Sequence, residues 1–231
     1  MSETIRENIV RIQACMARAR EKSRHGEVTL IGVSKTHPAE AIREAYEAGL
    51  QHFGENRVQE WEGKRVLLQD LPGNWHLIGH LQSNKAARAA KIFNSVDSVD
   101  DFAVAQRLDN VRAELHPSEK LRVLIEVRVE EEASKTGAEI QFLPELVEKI
   151  AALKNLQVDG LMCIPPFLEE AERVRPYFTR LRKLRDELVV RSGLPLPVLS
   201  MGMSHDFEVA IEEGATEVRI GTAIFGSRAK G

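Results

Sequence analysis

From Val28 onward the chain alternates short β-branched runs with helix-forming stretches, and no other feature of the sequence constrains the fold as much. Eight runs read as strands: residues 28–35, 51–53, 75–79, 94–96, 122–129, 156–162, 197–199 and 217–220. Between them, residues 39–48, 100–114, 143–153 and 169–192 carry helical periodicity and good helix formers. Strands that alternate with helices pair in parallel, and eight such units close into an α/β fold, a (β/α)8 TIM-type barrel. The 231 residues suffice for one barrel, so residues 1–231 are expected to form a single domain with no C-terminal β-domain. Ahead of the first strand, Ile5, Ile9, Ile12, Met16 and Ala19 recur at intervals of three and four, marking one stripe of an extra N-terminal helix within residues 1–24, ended by Gly26. The chain stops at Gly231, too soon after the eighth strand for a full outer helix. The N-terminal helix is therefore expected to cover that part of the wall of the barrel (residues 28–231), its isoleucines inward.

Charge and cysteine content narrow the partners. With 32 basic against 35 acidic residues, a net of −3, there is no cationic field for phosphodiester backbones or anionic lipid. Nucleic acid and membrane are not expected partners. Cys15 and Cys163 lack CxxC spacing and a nearby histidine, so neither a disulfide framework nor a zinc site is expected, and a reducing, cytoplasmic setting fits. The N-terminal segment mixes charge with apolar positions, unlike a signal peptide or a spanning helix. Without a long apolar surface stripe, a monomer is the default expectation.

Barrels of this kind do their chemistry at the carboxyl ends of the strands. The first strand ends in Ser34, Lys35, Thr36, His37 and Pro38, and the pleat puts Lys35 on the side of Ile31 and Val33, toward the interior. Burial among apolar walls lowers an amine pKa, which suits a lysine that forms an imine with an aldehyde. A strand-end lysine can also simply reach solvent. The eighth strand runs into residues 219–226 (RIGTAIFG), the layout of a strand feeding a short helix at an anion site. Gly221 allows close backbone approach, and Thr222 can cap the helix and offer its hydroxyl. Barrels often bind phosphate with the loops after strands seven and eight, and strand seven ends in Ser200, Met201, Gly202, Met203 and Ser204. Ordinary capping and turn chemistry explains either loop alone. Together they suit one phosphate.

Residues 32–38 (GVSKTHP), 53–60 (FGENRVQE), 75–85 (WHLIGHLQSNK), 134–137 (SKTG), 160–166 (GLMCIPP), 199–204 (LSMGMS) and 219–228 (RIGTAIFGSR) together resemble the pyridoxal phosphate homeostasis proteins, nearly end to end. That family is similar to the barrel domain of alanine racemase. The resemblance implies pyridoxal 5'-phosphate joined covalently to Lys35, phosphate contacts from Ser200, Gly221 and Thr222, and Asn56 near the cofactor. Arg57 stands where many members carry tyrosine, so no role carries over to it.

Arg219 has inward parity on strand eight, shared with Glu217, at the barrel mouth. A guanidinium cannot accept a proton, so beside a pyridine nitrogen it donates a hydrogen bond and weakens the ring as an electron sink. The alternative is an Arg219–Glu217 pair inside the barrel. The resemblance adds that a racemase of the alanine type draws its second base, a tyrosine, through a separate C-terminal β-domain. The two tyrosines here, Tyr46 and Tyr177, fall in helices outside the barrel. The expected function is therefore a binding protein and not an enzyme, holding pyridoxal 5'-phosphate as a Schiff base on Lys35 for storage, shielding or delivery. Apo forms of pyridoxal-phosphate-dependent enzymes are candidate recipients. The alternatives are a racemase-like enzyme and a Schiff-base aldolase whose lysine traps a sugar phosphate.

Other residues invite weaker readings. Ser204, His205 and Asp206 adjoin, but adjacency does not build a hydrolase relay, and Ser204 reads as a helix cap. His76 and His80 share parity on strand three with no third ligand in view, so no metal is expected. Ser134, Lys135, Thr136 and Gly137 follow strand five and suit either a secondary anion or aldehyde contact or a solvated loop. Whether Lys135 or His80 touches ligand is open. Met162 and Cys163 end strand six as mouth-lining packing residues, Met162 able to touch the cofactor ring.

Overall fold

In the computed structural model, residues 4–23, 26–115, 118–130 and 136–226 are described. Thr4 and Glu7 exchange hydrogen bonds between side chain and amide, a capping box that fixes the start of α1 (Ile5–Lys22). Beyond it the chain alternates β1 (Thr29–Val33), α2 (Ala39–Glu47), β2 (His52–Glu55), α3 (Val58–Arg65), β3 (Asn74–Leu77), α4 (Ala86–Ile92), β4 (Ser95–Val99) and α5 (Phe102–Leu115). The second half continues as β5 (Leu121–Glu126), α6 (Leu143–Ala151), β6 (Leu156–Met162), α7 (Arg175–Ser192), β7 (Val198–Ser200), α8 (Phe207–Glu212), β8 (Glu217–Ile220) and α9 (Thr222–Phe225). Each strand pairs in parallel with the next and β8 pairs back onto β1, so the eight-stranded barrel expected from the sequence is closed.

Side chains alternate across the barrel wall. Outward residues such as Phe53, Leu77, Val96, Leu161, Leu199 and Val218 join the helices in the main apolar core. Inside, Ile31 and Ile78 close on Gly54, where a Cβ would come within 3.2 Å of Ile31 and 2.9 Å of Ile78. Glycine at that position makes room for two branched side chains at this level of the lumen, the usual filling of a small parallel barrel.

The stripe of α1, Ile9, Ile12, Met16 and Ala19, is buried as expected. The helix packs against α2, α8 and α9, which puts it over the wall beside β8. Asn8 donates from Nδ2 to the Ile224 carbonyl at 3.0 Å, tying α1 to α9. Full burial of Ile9 and Ile12 stabilises this arrangement by about 1.5–3 kcal/mol each. Gly26 does not end the helix; Ser23 is its C-cap. The long helix expected over residues 169–192 divides into a 3-10 turn (Ala171–Val174) and α7, because Pro176 is tolerated only in a helix's first turn. Among the described residues, no helix is long and apolar enough to cross a membrane.

Candidate functional site

Four successive strands, β7, β8, β1 and β2, carry at or just beyond their carboxyl ends all six residues singled out from the sequence. Ser200 ends β7, Arg219 lies in β8, Gly221 and Thr222 follow it, Lys35 follows β1, and Asn56 follows β2. They form one arc of the barrel rim.

The strand expected over residues 28–35 stops at Val33, so a turn and not the pleat directs Lys35. The His37 amide donates to the Ser34 carbonyl at 3.1 Å, and Thr36 has φ 66°. A left-handed third residue is the type II pattern, which ordinarily takes glycine or asparagine there. A β-branched residue in that conformation costs about 1–3 kcal/mol. Helix α3 holds the turn: the Thr36 amide donates to Glu60, and Lys64 Nζ donates to the Ser34 carbonyl at 2.8 Å. Lys35 itself is half-buried.

This turn meets the loop after β8. His37 stacks on Phe225 of α9 with ring centroids 4.9 Å apart. Gly221 packs on β1 so closely that a Cβ would lie 3.3 Å from both the Val33 Cβ and the Val33 carbonyl oxygen. Thr222 is exposed and is the first residue of α9; Gly221, and not Thr222 as expected, is the N-cap. Ser204 Oγ lies 3.4 Å from the Ala223 amide, which brings the β7 loop onto the first turn of α9. Ser204 was expected to cap the following helix, but the N-cap of α8 is Asp206, whose Oδ1 accepts from the Met203 amide at 2.6 Å.

Arg219 is buried. Its Nη1 donates to Ser200 Oγ and its Nη2 to the Cys163 carbonyl, both at 2.8 Å. Both bonds go to neutral oxygens, while the charge of Arg219 also acts on the buried carboxyls of Glu126 and Asp206, opposing the rise that burial gives each. The alternative pairing with Glu217 is not formed, because Glu217 accepts from Arg122 at 2.6 Å toward the amino ends of the strands. The Ser200 hydroxyl is thereby engaged by Arg219, keeping its own proton to donate. Burial pushes the Cys163 thiol up to about 12, which makes it a packing residue.

Farther round the rim, Asn56 borders a cavity of about 310 Å³ with Gly79, His80 and Lys85. Thr136 donates to Glu126 Oε1 at 2.8 Å, and burial raises that carboxyl above its ordinary value. The Gly137 amide donates to Asp100 at 3.3 Å, and His80 lies 3.3 Å from the same carboxylate oxygen. Ser134 and Lys135 lie outside the described residues. Tyr46 and Tyr177 sit in α2 and α7 and pack on the outer core.

Sequence reasoning missed the barrel floor. His76 Nδ1 lies 2.9 Å from Asp97 and its Nε2 lies 3.0 Å from His52 Nδ1. Donor atoms of His76, Asp97 and Glu217 all fall within 4.8 Å of one another, so two carboxylates converge on His76 where no third ligand was in view. The cation among them is Arg122, which also donates to Asp159 and Ser95 at 3.1 Å. Burial opposes ionisation of Asp97, yet His76 and Arg122 outweigh it and hold the carboxyl below its ordinary value. Glu217 moves up instead, through burial and the nearby Asp97. His52 is pushed down to about 4, first by burial and then by His76 and Arg122. Inward parity of polar residues on strands three, four, five and eight was the available signal.

The alanine racemase N-terminal domain family matches residues 4–229. The chain is 48% identical over 225 residues to a pyridoxal phosphate homeostasis protein of Aquifex aeolicus, covering 96% of this chain and 97% of the relative. A protein of the same description from Pseudomonas aeruginosa is 48% identical over 228 residues, covering 97% and 96%. The structure of PipY from Synechococcus elongatus with pyridoxal phosphate bound is similar at a TM-score of 0.86 and 40% identity, covering 96% of this chain and 100% of that one. An alanine racemase from Clostridium difficile, 13% identical with a TM-score of 0.72, covers 94% of this chain and 60% of its own, and shares the fold.

Proposed function

The chain belongs to the pyridoxal phosphate homeostasis protein family, and from that membership we propose that it binds pyridoxal 5'-phosphate as a Schiff base on Lys35 and stores, shields or delivers it. Residues 1–231 act as one domain, as a monomer in the cytoplasm, with apo pyridoxal-phosphate-dependent enzymes as recipients and no nucleic acid partner.

One observation carries the reading: the turn bearing Lys35 packs on α9 through the His37–Phe225 stack, and the end of β1 just before it packs on Gly221 through Val33. An amine and an amide-rich glycine–threonine turn therefore share one stretch of rim, which supports a phosphorylated aldehyde as the ligand. When bound, the cofactor supplies a reactive aldehyde. Lys35 holds that carbon. Gly221 and Thr222 hold the phosphate, with Ser200 beside them and Asn56 flanking the other side. Arg219, fixed by Ser200 and Cys163, would donate to the ring nitrogen and leave it unprotonated, which would favour holding over turnover.

Loaded protein is expected to show a visible imine band, and borohydride reduction followed by mass spectrometry should fix the adduct on Lys35. Lys35→Ala should abolish the band while far-ultraviolet circular dichroism stays native. An unchanged band in that variant would sink the assignment. Delivery is checked by mixing loaded protein with an apo enzyme: activation no faster than with an equal amount of free cofactor would leave storage or shielding.

A further inference from the structure

Helix α3 brings a second lysine to the neighbourhood of Lys35. The Lys64 side chain is 13% exposed, and its ammonium meets three acceptors: the Ser34 carbonyl at 2.8 Å, Glu55 Oε1 at 2.9 Å and Glu60 Oε1 at 2.6 Å. Three protons against three acceptors leave this charge saturated and fixed. Every acceptor is tied to the Lys35 turn. Ser34 precedes Lys35, and its hydroxyl donates to the same Glu55 oxygen at 2.8 Å. Glu60 also accepts from the amide of Thr36, the residue after Lys35. Both neighbours of Lys35 are thus bound to one ammonium, Ser34 directly and Thr36 through Glu60.

The conformation so held is one that the sequence resists. Thr36 sits at φ 66°, where a β-branched side chain crowds the backbone, and release would let it return to negative φ and redirect Lys35. The clamp is also an expensive construction for mere stability. Glu55 is fully buried and its Oε2 has no partner among the described residues, whereas an apolar pair would fill the same wall without desolvating charges.

We infer that Lys64, acting with Glu60, is a positioning residue for Lys35: the cluster holds the strained turn in the conformation that presents the Lys35 amine to the aldehyde. The inference rests on Lys35 being the attachment point. There the Lys35 nitrogen bonds the aldehyde carbon, and the aldehyde oxygen leaves as water with the two amine protons. Lys64 takes no part in that exchange; it sets how much of the time the amine is aimed.

The test is the rate of imine formation, followed by stopped-flow absorbance on the full chain with pyridoxal 5'-phosphate. Lys64→Met should slow it about tenfold or more, as expected for loss of orientation. Adding Thr36→Gly to that variant should restore most of the rate, because glycine adopts the left-handed position without a clamp. An undiminished rate in Lys64→Met, or a loss that Thr36→Gly does not repair, overturns the inference; a general structural role would give the second result. Should Lys64→Met fail to fold, Glu60→Ala releases the Thr36 amide while sparing the Lys64–Glu55 pair, and the same slowing and repair are expected. Reduction that labels a lysine other than Lys35 in the unmutated protein sinks the attachment reading together with this one. Correct labelling with an unaffected variant rate sinks this one alone.

Discussion

Arg122→Leu should destabilise the protein by about 3–5 kcal/mol near neutral pH, the cost of breaking a buried charge pair from one side. The size follows from what the guanidinium touches. It lies 2.6 Å from Glu217, 3.1 Å from Asp159 and 3.6 Å from Asp97, and the side chains of Glu217 and Asp97 are 8% and 0% exposed. Leucine keeps much of the volume but leaves those carboxylates without their cation. A surface pair lost in the same way would cost about 0–1 kcal/mol.

The pH dependence sharpens the test. Glu217 already stands above its ordinary value of 4.5, through burial and Asp97, with Arg122 pulling the other way. Losing Arg122 moves it higher. A carboxyl with a raised folded-state pKa binds its proton more readily folded than unfolded, so its destabilising effect is absent below the ordinary value, grows as pH rises from there toward the raised one, and is complete above it. The penalty of Arg122→Leu should therefore be smaller at about pH 5 than at about pH 7.5, and Glu217→Gln in the same chain should recover about 1–3 kcal/mol. Urea unfolding followed by the fluorescence of Trp61 and Trp75, buried and stacked at 3.9 Å, measures both. A loss below about 1 kcal/mol, or one equal at the two pH values, would refute the reasoning.

A Cβ on Gly79 would lie 2.3 Å from the Asn56 carbonyl oxygen and 2.9 Å from its Cα, so Gly79→Ala should displace Asn56 and weaken cofactor binding about tenfold in an absorbance titration. Unchanged affinity would remove Asn56 from the site. In the native protein, iodoacetamide should modify Cys15 well before the buried Cys163, whose thiol stands at about 12; equal rates by mass spectrometry would contradict that burial. Pyridoxal 5'-phosphate at about one hundred times its dissociation constant should stabilise the fold by about 2.7 kcal/mol, and dialysing it away should reverse the rise in melting temperature. A melt indifferent to the cofactor argues against native-state binding.

The barrel was legible because its strands are short, β-branched and evenly interrupted; residues 156–162 and 217–220 were bounded as they occur. Helix α3 was not recognised. It buries only Val58 and Trp61 and carries Gly63, so it lacks the stripe that betrays a helix. The sequence pattern carries β1 on through the Lys35 turn, since nothing in a threonine announces a left-handed position. What fixes that turn lies across the chain, on Glu60 and Lys64. The floor escaped for a similar reason: His76, Asp97, Arg122 and Glu217 come from four strands and meet only once the barrel has closed.

The Asn8–Ile224 bond has a bearing on how the molecule is made. Helix α1 precedes every strand, yet two of the helices it packs against, α8 and α9, follow β7 and β8 and are made long after it. While the ribosome works through the strands, α1 has α2 to lie against but neither α8 nor α9, so part of its oily side stays uncovered. Covering α1 fully must therefore wait for a contact between elements far apart in sequence, a slow and non-local closing event. A nascent chain that has not yet reached α8 would leave part of the Ile9, Ile12 and Met16 stripe open to any chaperone in reach, and would have no phosphate grip to offer.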